Sequence, residues 1–459
     1  MPPTPPLPQL LKNRDKDRLA QYTDALAFYE GKQWPAADPR TRSARRLTLN
    51  YVKTIVSKTS TYVMKGATLN AIPRSDSTED IAAAAAVEQY LADLATDNGL
   101  ARLDLVTEVD AAVLGDAAYK VTWDPAEHRV AVTAPDMRGL FPWPHPTDPT
   151  RYTRVAHRYT LPREDVITLW GIAPRDKTAE VVEDWTDAAL DIWIDGGPAP
   201  TISQPNPYAL IPFVIYPNAQ VPKRWWGESD VLPLKEIAQE FNRQMTRISN
   251  IMELSGFPIT VLENVDDTTD IVAQPGAVWE LPEHAKAYLL DLLQGGGLRL
   301  HLDYTDHLLR ALHDLSETPR TAFGGTDRDL SGVALQVEMQ PLLQKVERKR
   351  IIRSDAYRLR AALALRLSDL FGGTQFTNSI AGLTADWATI TPPDQALDAG
   401  REVALVGAGI RSRQTALANL GDPDPETELS RVIEEAQRLG ALAQSLQPTS
   451  LPAEPPARA

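Results

Sequence analysis

From Asp230 to Leu254 apolar side chains recur every three or four residues, with Leu234, Ile237, Phe241, Met245, Ile248 and Met252 on one line. That period becomes a single apolar face on a helix of 3.6 residues per turn. Ser229 or Asp230 can cap its start, Pro233 fits its first turn, and Gly256 followed by Pro258 stops it. At about 1.5 Å per residue it spans roughly 37 Å. A second helix is expected over Leu298–Glu317, after Gly295–Gly297 and before Thr318-Pro319. It carries Leu298, Leu302, Leu308, Leu309, Leu312 and Leu315 along one side, with Thr305 interrupting the stripe. Between the two helices a strand-like stretch runs from FPITVLENV through AVWELP, so the order is long helix, small β lobe, long helix.

Upstream, IAAAAAVEQYLADL and LARLDLVTEVDAAVL read as helices closed at Asn98-Gly99 and at Gly115. From Ala118 the period changes to alternation: AYKVTW and RVAVTA flank a Pro125–His128 turn, and RVAHRYT, AEVVEDW, LDIWID and IPFVIY follow. A mixed sheet with short helical insertions is predicted there. After the loop ETPRTAFGGTDRDLSG comes a helix of about 40 residues, Val333–Phe371, with Pro341 expected to kink it. An extended WATITPP and three helical segments, DQALDAGREVALV, SRQTALANL and ETELSRVIEEAQRLGALAQ, complete the pattern. Both proline-rich ends, 1–8 and 448–459, are too poor in apolar residues to offset the entropy of ordering them, and read as disordered tails. No repeat of fixed period is present.

Length and charge narrow the function. A chain of 459 residues exceeds the size of a single hydrophobic core, so two or more packed units are expected. No apolar run reaches the roughly 20 residues that cross a bilayer, and the N-terminus lacks the order of a secretory signal. These features predict a soluble, unexported protein with no membrane partner. The absence of cysteine removes disulfides, thiolate nucleophiles and sulfur-ligated zinc, and fits a reducing cytoplasm. A net charge of −14 is opposite to that of proteins that grip duplex DNA, and suits a surface past which DNA slides.

Catalytic patterns are missing. No phosphate-binding GxxxxGK[ST] loop or GxSxG elbow occurs. His301, His307 and His313 share a helix, but steps of six rotate them onto different faces, unlike a zinc-binding pair at i, i+4. The acidic groups Asp266, Asp267 and Asp270, and Asp422, Asp424, Glu426 and Glu428, read as solvated turns, with Asp424 or Thr427 capping the helix that follows. No catalytic, cofactor-binding or metal-ligating residue is therefore assigned. The strongest charge feature is the run of Lys345, Arg348, Lys349, Arg350, Arg353, Arg358, Arg360 and Arg366, against only Glu347 and Asp355. A solvated helix face, a contact with an acidic neighbouring subunit, and a contact with DNA all remain open for it.

Five motifs occur in a fixed order: YEGKQW at Tyr29–Trp34, NYVKTIVSKTSTYVMKG at Asn50–Gly66, GESDVLPLKEIAQEFNRQMTRISNIMELSGFP at Gly227–Pro258, SGVALQ at Ser331–Gln336, and GIRSRQTALANLGDPDPETELSRVIEE near the end. In these the chain resembles the portal proteins of long-tailed, siphovirus-type bacteriophages over roughly residues 25–440. It departs from the usual pattern at VPKRWW, after Asn218, and in a compact C-terminal region.

The resemblance implies an α+β portal fold. It divides the chain into a disordered tail (1–24), an α/β wing (25–227), a first stem helix (228–256), a β-containing clip (257–297), a second stem helix (298–317), a tunnel loop (318–331), a long kinked helix returning to the wing (332–393), a helical crown (394–446) and a second tail (447–459). It also implies a ring, usually dodecameric, at one capsid vertex of the virion, assembled in the host cytoplasm, with no enzymatic activity and no cofactor. Double-stranded DNA would pass through it without sequence-specific reading, during packaging and again during ejection. The implied partners are the terminase packaging motor, head-completion or adaptor proteins, and the major capsid and scaffolding proteins. Lys235, Asn242, Arg243 and Arg247 would face the channel, the outer wall or a neighbour, and Lys345, Arg348, Arg350 and Arg353 a subunit interface. Arg320, Phe323, Gly324, Gly325 and Arg328 would belong to the loop at the DNA channel. There Arg320 and Arg328 would touch phosphates loosely beside Asp327 and Asp329, and Phe323 would sit at the tip or tuck under its own subunit. The competing readings are another ring-forming head–tail connector and a metal-dependent enzyme acting on nucleic acid.

Overall fold

A computed structural model describes residues 6–34, 46–148, 151–256, 259–264, 284, 286–290, 297–324, 332–390, 395–422 and 424–445. The chain forms two units, Met1–Ala388 and Thr389–Ala459.

The first unit is organised around the helix Gly332–Phe371, 40 residues long with Pro341 inside it. Helices Tyr51–Val63 and Leu100–Leu114 and strands Asp116–Asp124 and Phe213–Pro217 pack against it. Its inner positions Ala356, Tyr357, Ala364 and Leu367 share a core with Phe28, Val56, Tyr119 and Tyr216. The helices Thr78–Asp97 and Leu100–Leu114 meet at Gly99, and the second ends on Gly115, both glycines in the left-handed region, as the sequence leads one to expect.

The alternating segments form strands, but not one mixed sheet. Phe213–Pro217, Asp116–Asp124 and Arg129–Thr133 make a three-stranded sheet in that order. A separate sheet joins Leu140–Pro144, Tyr152–Pro162, Thr178–Trp185 and Ala189–Ile194, with the short pieces Gly197–Pro198 and Gln204–Pro205 beside the last. Every pairing is antiparallel. Parallel neighbours need a crossover of a dozen residues or more, and the short turns between most of these strands leave no room for one. A further pair, Ala67–Pro73 with Ile380–Trp387, joins chain ends more than 300 residues apart. The extended piece expected at WATITPP thus lies earlier, and its partner ATLNAIP carries no strong local signal.

The N-terminal tail expected over 1–24 is instead helical over Leu7–Asn13 and from Lys16 to Tyr29. Leu7 and Leu11 bury themselves with Phe141, Ala156 and Val182. Arg18 donates to the carbonyls of Met137 and Leu140 at 3.1 and 2.8 Å and lies 4.0 Å from the Trp226 ring centre. Proline-rich composition did not foresee these partners because they lie more than a hundred residues away. Residues 1–5 and 446–459 lie outside the described residues.

The two amphipathic helices are Lys235–Gly256, preceded by a 3₁₀ turn at Leu232–Leu234, and Gly297–Ser316. They pack on each other, and Pro233 and Leu234 line the same cleft as Leu315 and Ser316, so the second returns to where the first began. On the second helix the buried line is Thr305, Leu312 and Ser316, while Leu302 and Leu315 face outward. Thr305 fits because its hydroxyl donates to the His301 carbonyl at 2.7 Å. Between the helices, Ile259–Glu263 pairs antiparallel with Lys286–Leu290; AVWELP lies outside the described residues.

The second unit contains helices Gln395–Gly407, Arg413–Asn419 and Pro425–Ser445. Ser412 and Asp424 accept from the backbone N–H of Thr415 and Thr427, both at 3.1 Å, so Asp424 serves as a cap.

Replacing Leu11 by Ala should lower unfolding free energy by about 2–4 kcal/mol, because its cavity lies in a sealed cluster. A urea titration unchanged from the parent would mean that residues 7–24 do not help hold the fold.

Candidate functional site

Four segments meet where the first amphipathic helix begins. At Gly115, φ is +103°, and a Cβ there would lie 3.0 Å from the Ser229 nitrogen; a Cβ on Gly227 would lie 2.3 Å from the Gly115 carbonyl oxygen. Two glycines thus allow two backbones to touch. Across this contact the GESD turn satisfies the C-terminal carbonyls of helix Leu100–Leu114: Ser229 Oγ donates to Val113 O at 2.5 Å, Asp230 N to Ala112 O at 2.8 Å, and Asn218 N to Gly115 O at 2.7 Å. Asp116 closes the junction, accepting from Tyr22 Oη at 2.6 Å and from Gly227 N at 2.8 Å. Burial pushes its carboxyl up to about 6, against the Tyr22 and Gly227 hydrogen bonds that favour the charged form.

The basic run of the long helix is built into this junction, which corrects the expectation for it. Arg353 is 0% exposed. Its Nε and Nη2 donate to Glu108 at 2.7 and 3.0 Å, and its Nη1 and Nη2 donate to Asn218 O and Oδ1 at 2.6 and 2.8 Å. Lys349 donates to Asn218 Oδ1 and Asp230 Oδ2, both at 2.6 Å. Lys345 reaches the Ser316 carbonyl at 3.0 Å and Asp230 at 3.3 Å. Arg360 pairs with Asp104 between the rings of Tyr119 and Tyr357. Arg350 donates to the carbonyls of Val63, Tyr62 and Lys65, at the end of helix Tyr51–Val63, and to Ala388. These side chains are neither a solvated face nor available to a neighbour or DNA; of the four interface candidates only Arg348, paired with Glu317, is exposed. The signal that sequence reading missed is the carboxylate pair Asp104 and Glu108, spaced i, i+4 on the facing helix. Burial alone would raise the Asp230 carboxyl, but Lys349 and Lys345 outweigh it and hold it well below its ordinary value.

Along the first amphipathic helix the candidate residues separate. Asn242 is buried, accepting from Leu49 N at 2.9 Å and donating to Gln33. Gln33 donates to Asn50 Oδ1 at 2.9 Å, and Asn50 to the Tyr29 carbonyl at 2.8 Å. Three of the five sequence motifs therefore meet in one hydrogen-bond chain, and Asn242 faces neither channel nor neighbour. Lys235 pairs with Asp24. Arg243, paired with Glu240, and Arg247 are exposed.

At the base of the loop, Glu317 turns the chain with φ +54° and His313 Nδ1 meets the Thr318 carbonyl at 2.8 Å. Phe323 packs edge-on against His313, ring centres 5.4 Å apart, so it tucks into its own subunit; Arg320 is exposed. Gly324 has φ +82°. Gly325 and Arg328 lie outside the described residues.

This is a structural assembly built to anchor two helices. Among the described residues no group of three or more His, Asp or Glu is placed to hold a metal ion, and no helix is long and apolar enough to cross a membrane. A sequence profile for phage portal proteins, SPP1 Gp6-like, matches residues 9–441, and the chain belongs to that family. The family is structural rather than enzymatic, and membership implies a ring assembly at a capsid vertex in association with the packaging motor. No individually curated protein matches the chain.

Arg353→Met should lower unfolding free energy by about 3–5 kcal/mol by leaving Glu108 buried without its partner, whereas Arg358→Met, at an exposed pair with Asp355, should change it by less than about 0.5 kcal/mol. Equal small effects in chemical denaturation would restore the solvated-face reading. Asp116 has a higher pKa folded than its ordinary 3.8, so the stability from its protonated form is full below pH 4 and fades as pH rises through about 6. Asp116→Asn should remove that decline from a melting-temperature profile between pH 4 and 7; an unchanged profile would show that another group titrates there.

Proposed function

We propose that this chain closes, head to tail, into a dodecameric ring whose central channel passes double-stranded DNA inward during packaging and outward at ejection. The observation that carries this reading is the surface of the paired helices. Leu300 is 72% exposed, and Leu302, Tyr304, Leu315 and Met252 are also open to solvent. So much apolar surface on one helix pair marks a contact yet to be made, and identical neighbours in a ring supply it. The helix pair serves as the stem, residues 257–297 as the clip that meets the terminase motor and later a head-completion protein, and residues 25–227 as the wing. Residues 394–446 serve as the crown, and capsid and scaffolding proteins surround the ring.

The junction gives this layout a mechanical basis. Lysines 345 and 349, one turn apart, hold Asp230 before the first stem helix and Ser316 at the end of the second. The tunnel loop starts from that fixed point, with Phe323 as its last anchor and Gly324 as its hinge. DNA contact then falls to residues 325–331 and Arg320. Those contacts stay weak, because each strong phosphate contact would raise the barrier to every step of translocation.

Leu300→Asp with Leu302→Asp should leave the far-UV spectrum of the folded chain intact but abolish rings in end-on negative-stain images. Rings of normal size from this double variant would show that the stem surface does not hold the subunits together.

A further inference from the structure

The segment Val221–Trp226, where the chain departs from the usual pattern, walls a cleft of about 510 Å³. Trp225 stands edge-on to Tyr152 and to Trp226, ring centres 6.1 and 4.3 Å away. The long helix forms the opposite wall with Ile352, Ala356 and Leu359, and Leu359 is 52% exposed. Lys223 and Arg224 stand exposed at the rim, and neither is drawn into the buried network. The cleft is therefore apolar and aromatic inside and basic at its edge, on a chain of net charge −14.

A complementary knob sits elsewhere on the same unit. Helix Arg163–Trp170 buries only Val166. Leu169 is 61% exposed, Ile167 is exposed beside it, and the first turn carries Glu164 and Asp165. Arg163 points back to the carbonyl of Arg175. Knob and cleft are held at opposite ends of one strand, Tyr152–Pro162: Tyr152 lines the cleft, and Pro162 precedes the helix. Eleven residues at about 3.3 Å each put them roughly 33 Å apart, too far for the knob to fill its own cleft. Two unlike patches of matched chemistry, separated along a rigid element, are what a head-to-tail contact between identical subunits requires.

We propose that helix Arg163–Trp170 of one copy inserts Ile167 and Leu169 into the cleft of the next, with Glu164 and Asp165 against Lys223 and Arg224. This rests on the ring reading above and names a contact within it. Apolar insertion supplies the contact, and the charge pairs set its direction around the ring.

The absence of native cysteine makes the test direct. Ring formation by the parent chain is first established by mass photometry; a chain that stays monomeric at every concentration overturns the ring reading itself. The Leu169→Cys, Leu359→Cys double variant, assembled and mildly oxidised, should run on a non-reducing gel as a ladder of covalent dimers and higher oligomers, while each single variant should give no ladder. Rings of parental size with no covalent oligomer from the double variant overturn the knob-and-cleft contact alone. Independently, Glu164→Lys with Asp165→Lys should raise the concentration for half-assembly by about tenfold at low salt, and adding Lys223→Glu with Arg224→Glu should restore it. Failure of the combined variant to recover assembly, with both reversals folded, also counts against the pairing.

Discussion

The hydrogen-bonded charge network around Arg353 is the constraint on which the first unit depends. A guanidinium with no exposure to water carries a desolvation penalty of several kcal/mol, and so does each of its buried partners. Such a group persists only when its donors are satisfied, and here Glu108 and Asn218 together receive Nε and both terminal nitrogens. An apolar substitute of equal volume would give comparable stability, so we read the network's value as register. Slide the long helix by one residue and Arg353, Lys349 and Lys345 all lose their partners at once.

That register reaches the parts that carry function. The residue before the first amphipathic helix and the residue ending the second are both held by the long helix, through Asp230 and Ser316. The same end of helix Leu100–Leu114 is closed by the GESD turn and by Asn218. The bases of both stem helices are thereby locked to one spine. Their outer faces keep apolar residues that nothing in the single chain covers, so the subunit is rigid where it meets itself and unfinished where a copy can complete it.

The motifs that first suggested the family also gain a physical account. Gln33, Asn50 and Asn242 come from three of them and form one hydrogen-bond chain. Gly227 is required by the 2.3 Å approach a Cβ there would make to Gly115. Asn50 also accepts from Lys53 N at 3.2 Å, opening the helix it begins. Single residues thus serve a local cap and a distant contact together.

By itself the sequence determined the helices, their ends and most strands. Those signals arise between residues three or four apart on a helix, or two apart on a strand, and in caps such as Gly115 and Asp424, all within reach of a local window. It also carried the family, through motifs whose order survives along the chain. Tertiary structure alone decided which charges are surface and which are core. Arg353 and Arg358 look alike in sequence, yet one meets Glu108 across 245 residues and the other stands in water beside Asp355. It likewise decided that Leu7 and Leu11 fold against a sheet, that Ala67–Pro73 finds a strand more than 300 residues away, and that Leu302 faces outward while Thr305 is buried. Periodicity shows that a helix has an apolar side; which part of that side is covered depends on what the rest of the chain brings to it.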